Sequence, residues 1–125
     1  MAFETFAADD DRQIVIGVFN GEFIAAFLLY EIEPKVYDCH FTSKRGTSRE
    51  VLLEGGRMVR DAFFENGAKE LTARIVERNT PLKGYLEALG FTKLEFSACT
   101  QNDTPLNSVV DERNFVKYAI TRKPP

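Results

Sequence analysis

Hydrophobic positions along this chain change their period near residue 43, and that change sets the expected elements. Before it, β-branched and aromatic residues run in short stretches between turn signals, as strands do. Ile14 to Phe19 reads as one strand, and Phe23 to Ile32 as its long partner, ended at Pro34. Asn20-Gly21 between them is a strong two-residue hairpin signal, because both turn positions favour positive φ. Lys35 to Phe41 is a third strand, so this half is an antiparallel meander. Residues 1–13 are ambiguous: Ala2 to Phe6 fits a short strand, and Asp9-Asp10-Asp11 fits a solvated turn.

Beyond residue 43 the spacing turns helical. Ser43 to Ser48 is a polar loop, and Thr47 and Glu50 stand at capping-box spacing, Thr as cap and Glu reaching back. Leu52, Val59 and Phe63 share a helix face that Val51, Met58 and Ala62 widen, to about Glu65. Gly55-Gly56 inside it costs roughly 1 kcal/mol each against Ala, and such a pair suggests close packing on a sheet. Asn66-Gly67 ends the helix, and Glu70 to Val76 is a strand. The stretch Asn79 to Phe91 then carries a second helix. Thr80 fits the N-cap, and Pro81 fits the first helical position, where its missing N–H costs nothing. Leu82, Tyr85, Leu86 and Leu89 fall on one face, and Gly90 can take the left-handed conformation that stops a helix. Phe91 to Cys99 is a strand, Gln101 to Glu112 a polar loop, Asn114 to Thr121 a last strand and Arg122 to Pro125 a tail. The order predicts a single α+β domain, residues 1–125, with a mixed sheet and a strand–helix–strand crossover at its centre.

Composition narrows the class. The chain has 125 residues, 44% hydrophobic and 28% charged, as soluble globular domains do. A net charge of −3 gives no basic field for nucleic acid. The longest apolar stretch, Phe23 to Tyr30, is too short to cross a membrane. The acidic N-terminus, with Glu4 and the Asp triplet, does not read as a signal peptide. Cys39 and Cys99 are expected as reduced thiols of a cytoplasmic protein. One histidine and scattered cysteines do not make a zinc site, so no metal is expected.

The segment from Asn79 through Gly90-Phe91 resembles the signature of the GNAT superfamily, the acetyl-CoA-dependent N-acetyltransferases. There an Asn, a short helix and a Gly-Phe pair follow the strand that flanks the cofactor. The order of elements over residues 14–121 is similar to the GNAT core, and the motifs match over residues 39–91. The resemblance extends to the subgroup that acetylates protein N-termini. It implies a GNAT-like acyl-CoA N-acyltransferase fold, truncated at the N-terminus, since residues 1–13 cannot hold the strand and two helices that usually precede the hairpin. Those helices build part of the acceptor site, which is then open or completed by a second copy in a homodimer.

The resemblance also assigns a cofactor site. The family's pyrophosphate loop reads Gln/Arg-x-x-Gly-x-Gly/Ala, and here Ser43-Lys44-Arg45-Gly46-Thr47-Ser48 stands in its place. Gly46 matches, while Ser43 and Ser48 replace the first and last motif residues. Backbone N–H groups at a helix start, with the helix dipole, favour an anion there. The resemblance thus implies acetyl-CoA held by Phe41, Thr42, Arg45, Gly46, Thr47, Ser48, Arg49 and Asn79, with Lys44 adding charge. The pantetheine would lie between the strands Lys35–Phe41 and Glu70–Val76. Taken without the resemblance, the same loop is a capped helix start with solvated basic residues, and Asn79 is a cap or turn residue.

Acetyl transfer needs a neutral amine, a polarised thioester and a proton for the leaving thiolate. His40 is suited as base near neutral pH and Asp38 shares its strand face; Glu31 and Glu33 are further acidic candidates. The same His40 also fits a half-exposed strand residue without a role. Many family members carry a Tyr seven residues after the Asn, where this chain has Leu86. Tyr85 is the nearest hydroxyl, about 100° away around the helix, and it fits a core-edge aromatic as well as an acid. The expected function is acetyl-CoA-dependent N-acetylation of an amine, either a protein N-terminus, a lysine or a small molecule. The alternative is an inactive GNAT-fold binding or virion-assembly protein, since small GNAT-like proteins of tailed phages are similar in size and looseness of motif.

Overall fold

The alternation of the first half folds into a meander with one face buried. β1 (Ala2–Phe6), β2 (Gln13–Phe19), β3 (Phe23–Glu33) and β4 (Val36–Ser43) pair antiparallel in chain order. Ile16, Phe27 and Leu29 share one face through the pairings Ile16 with Phe27 and Ile14 with Leu29, and all three are buried. The computed structural model describes residues 1–6, 10–97 and 115–122. Cys99, the Gln101–Glu112 loop, Asn114 and the last three residues of the tail lie outside the described residues.

The second half adds α1 (Arg49–Glu65), β5 (Glu70–Val76), α2 (Thr80–Ala88), β6 (Thr92–Ser97) and β7 (Phe115–Thr121). The result is one seven-stranded mixed sheet in the order β1-β2-β3-β4-β5-β7-β6. Both helices cover the same face. Gly55 of α1 lies against Val18, and Tyr85 of α2 stacks on Phe41, the cross-strand partner of Phe27. Only residues 7–12 connect β1 to β2, which leaves no room for two helices there. The ambiguous N-terminal stretch therefore does contain a strand, paired from Ala2 with Phe19 to Phe6 with Val15.

Three local expectations shift by a residue. The Asn20-Gly21 turn is a three-residue connection with Phe19 paired to Phe23, and only Gly21 of its residues has positive φ (79°). A register shift between Val18 and Phe19 absorbs the extra residue. The cap of α1 is Ser48, not Thr47: Ser48 Oγ accepts from Val51 N–H at 3.3 Å. Thr47 is diverted because its hydroxyl donates to the Lys44 carbonyl at 2.8 Å, closing the preceding turn. The cap of α2 is Asn79, not Thr80: Asn79 Oδ1 accepts from Leu82 N–H at 3.3 Å, and Pro81 is the second helical residue. Gly90 stops that helix with φ of 98°, as expected.

The glycine pair of α1 packs against two different elements. A Cβ at Gly55 would meet Val18 Cγ1 at 3.1 Å, so this glycine does lie close on the sheet. A Cβ at Gly56 would collide with the Tyr85 hydroxyl and press on Leu89, so this one admits α2. Arg60 of α1 adds a clamp, its Nη1 donating to the Leu89 carbonyl at 2.7 Å. A cation at the C-terminal end of α2 also suits the helix dipole. Gly84, by contrast, faces only the flexible Arg49 guanidinium. In urea denaturation Gly84→Ala is expected to stabilise by up to about 1 kcal/mol, through helix propensity. Gly56→Ala is expected to destabilise by about 1–2 kcal/mol, because overpacking exceeds the same gain. Equal shifts of the two midpoints would show that α1 and α2 are not in close contact.

Candidate active site

The sheet forks at its centre. β4 and β5 are parallel and pair only from Val36–Glu70 through Asp38–Thr72. Each then follows its outer neighbour: β4 stays with β3 as far as Ser43, and β5 stays with β7 as far as Val76. Strand ladders normally satisfy backbone N–H and C=O groups on both sides. From Cys39 to Ser43 and from Ala73 to Val76 the inner sides of the fork have no strand partner among the described residues, and they border a gap.

The gap is a cavity of about 140 Å³ with apolar walls. Phe41, Leu82, Tyr85 and Leu89 line it on the helix side, and His40 and Arg74 border it. Its mouth continues as a shallower cleft bordered by Phe41, Thr42, Thr47, Arg49, Asn79 and Tyr85. The fold thus places seven of the ten candidates from the sequence, His40, Phe41, Thr42, Thr47, Arg49, Asn79 and Tyr85, along this cavity and its adjoining cleft, and Ser48 caps α1 next to Thr47 and Arg49. Arg45 and Gly46 sit in the exposed turn beside it, with Gly46 at φ of 88° and open space around its Cα. Lys44 is turned away by an ion pair with Glu22 at 2.8 Å, which lowers the ionisation of that carboxyl below its usual range. Its charge is therefore already partnered, unlike the contribution the sequence suggested.

Tyr85 has a defined local role. It is buried, its ring stacks on Phe41 with centroids 5.0 Å apart, and its hydroxyl donates to the Leu52 carbonyl at 2.7 Å. Burial pushes its ionisation well above the usual phenol range. Asn79 likewise spends its side-chain oxygen on capping α2. Cys39 is a free thiol at the gap, and burial, with the nearby Asp38 charge, pushes its ionisation up. A thiol held neutral in this way is a poor nucleophile.

His40 stands on the face away from the helices, two residues past the last paired residue of the fork. Its Nε2 lies 3.6 Å from Asp38 Oδ2. Asp38 and Thr72, which close the fork, are both buried, and Thr72 Oγ1 donates to Asp38 Oδ1 at 2.9 Å. Thr72 was not singled out from the sequence: nothing in Glu70 to Val76 marks it until β4 and β5 are aligned. Among the described residues no group of His, Cys, Asp and Glu could hold a metal ion. No helix of the described residues is long and apolar enough to cross a membrane.

No protein-family model and no curated protein sequence matches this chain. Solved structures do match it. A ribosomal-protein-S5-alanine acetyltransferase from Vibrio fischeri aligns with a TM-score of 0.71 at 14% identity, over 91% of this chain and 66% of that one. A spermidine N-acetyltransferase chimera from Vibrio cholerae aligns with a TM-score of 0.74 at 12% identity, over 91% of this chain and 69% of that one. The N-acetyltransferase PseH of Campylobacter jejuni, in complex with acetyl coenzyme A, aligns with a TM-score of 0.66 at 14% identity, over 91% and 71%. This chain therefore spans about two thirds of the length of these structures. The forked mixed sheet of this chain thus has the α+β fold that these solved structures share. It is the GNAT acetyltransferase fold.

Proposed function

We propose that this protein binds acetyl-CoA in the β4–β5 fork and transfers the acetyl group to an amine. The observation that carries the reading is the fork itself, where unpaired strand backbone borders a narrow apolar gap. A slender amide-bearing chain suits it, because its amides can pair with the N–H and C=O groups of the strands while its methylenes meet Phe41, Leu82 and Tyr85. A pyrophosphate would then lie at the start of α1, beside the Gly46–Ser48 backbone with Arg45 and Arg49 close by.

In the reaction the amine nitrogen bonds to the acetyl carbon, the carbon–sulfur bond breaks, and the thiolate leaves and is protonated. A backbone N–H of β4 beyond Asp38 is placed to polarise the thioester carbonyl. His40 takes the proton from the amine. Transfer is direct, without an acyl-enzyme on Cys39, since burial keeps that thiol neutral. The hydroxyl of Tyr85 is engaged by Leu52, which favours a wall over a proton donor. The half-exposed His40 side chain leaves the acceptor site to be completed by the acceptor's own bulk or by a second copy of the chain. A cytoplasmic location fits this reading, with reduced thiols and acetyl-CoA in the same compartment.

Acetyl-CoA is expected to raise the melting temperature, since a ligand at 100 times its Kd stabilises by about 2.7 kcal/mol. No shift at millimolar acetyl-CoA would overturn the reading and leave the fold to a binding or assembly role. The loop assignment has its own control. Asp and Asn both tolerate a left-handed backbone, so Gly46→Asp and Gly46→Asn carry similar strain and differ in charge. Gly46→Asp is expected to bind acetyl-CoA about tenfold more weakly than Gly46→Asn, or about 1.4 kcal/mol. Equal affinity in titration calorimetry would remove this loop from the site.

A further inference from the structure

We propose that Asp38 is the positioning residue for His40, orienting the imidazole so that its free nitrogen faces the amine at the fork. The inference rests on the acyl-transfer reading above. It begins from a costly feature. Asp38 is a charged residue 2% exposed, and burying a carboxylate is unfavourable unless both oxygens are served. Thr72 serves one oxygen, at 2.9 Å. The other, Oδ2, is buried with no hydrogen-bond partner among the described residues, and His40 Nε2 stands 3.6 Å from it. Tyr30, across from Asp38 on β3, does not compete, because its hydroxyl is bonded to Arg12 and lies 3.4 Å from Asp10 Oδ2.

The placement is as specific as the pairing. Alternation puts Asp38 and His40 on one face of β4. Asp38 and Thr72 form the last rung before β4 and β5 separate, so their bond fixes the carboxylate at the vertex of the fork. The Asp38 side chain is 3% exposed and that of His40 37%, so a closed carboxylate backs a half-open imidazole. The nitrogen that one partner binds determines which nitrogen is left with its lone pair. With Nε2–H held toward Asp38, Nδ1 is the acceptor. A distance of 3.6 Å is beyond a hydrogen bond, and catalytic contacts of this kind tighten when substrate is bound. Stability alone gives no reason for the arrangement, since an apolar residue at position 38 would avoid the desolvation cost.

His40 is the only histidine, so the imidazole region of a ¹⁵N spectrum reports it without assignment. In the wild type, Nε2 is expected to carry the proton, with slow exchange against water. In Asp38→Asn that exchange is expected to quicken at least tenfold, and kcat to fall at least tenfold with KM for acetyl-CoA changed less than twofold. Should Asp38→Asn not fold, Thr72→Val keeps the carboxylate and removes its pin, and is expected to quicken the exchange in the same direction. Protonation on Nδ1 in the wild type, or exchange unaltered in the folded variant, overturns the proposal. The spectrum requires no substrate, so a failure of acetyl-CoA binding counts against the functional reading and a failure of the spectral change against the role of Asp38.

Discussion

Replacing Tyr85 by alanine is expected to destabilise the fold by about 3–5 kcal/mol, the range for removing a large buried aromatic. The effect is large because the side chain joins three elements. Its ring lies against Phe41 of β4, its hydroxyl reaches the Leu52 carbonyl of α1, and its own helix is α2. Alanine would remove both contacts and merge the fork cavity with the helix interface. Tyr85→Phe keeps the ring and loses only the hydroxyl, so its cost is expected near 1 kcal/mol, the net worth of one hydrogen bond. Urea denaturation of both variants measures the difference. The same pair separates the two roles of this residue: a fall in kcat of a hundredfold or more in Tyr85→Phe, with the fold intact, would make the hydroxyl the proton donor after all.

Much of the architecture is legible because it depends on local chemistry. The strand runs, the Gly90 stop and the breaks at Pro34 and Asn66-Gly67 each act within a few residues. The errors are also local and share one cause: two neighbouring polar residues can serve the same terminus. Thr47 and Ser48 compete for the cap of α1, and the Lys44 carbonyl claims Thr47. Asn79 and Thr80 compete for the cap of α2, and the asparagine holds the Leu82 N–H. The glycine pair shows a further limit. Close packing is readable from Gly55-Gly56, but the division between Val18 on one side and Tyr85 on the other depends on where α2 lies.

The site is less legible for a related reason. Its central feature is an absence of pairing between β4 and β5 beyond Asp38–Thr72, and a missing ladder leaves no mark on either strand's own sequence. Both strands read as ordinary runs of seven or eight residues. Asp38 and His40 show only as an alternating pair, and Thr72 not at all, until the strands are side by side. The length of the 7–12 connection, in contrast, is plain from the sequence, and it determines that no pair of helices is inserted between β1 and β2.

Half exposed beside the vertex of the fork, His40 is the most direct test of chemistry. His40→Ala is expected to lower kcat by about 10²–10⁴, the usual contribution of a general base. The affinity for acetyl-CoA should stay within a factor of two, because the groups proposed to hold it are backbone of the fork and the start of α1. The side chain is half exposed and away from the helix-side core, so stability should change little. Added imidazole is expected to restore part of the rate, since the part-exposed His40 side chain leaves a space that solvent reaches once it is removed. Measurement of kcat and KM with a small amine acceptor, with and without imidazole, reads all of these together. An unchanged kcat would mean that the amine loses its proton to water or to another group, and the forked strands would then be acting through binding and backbone polarisation alone.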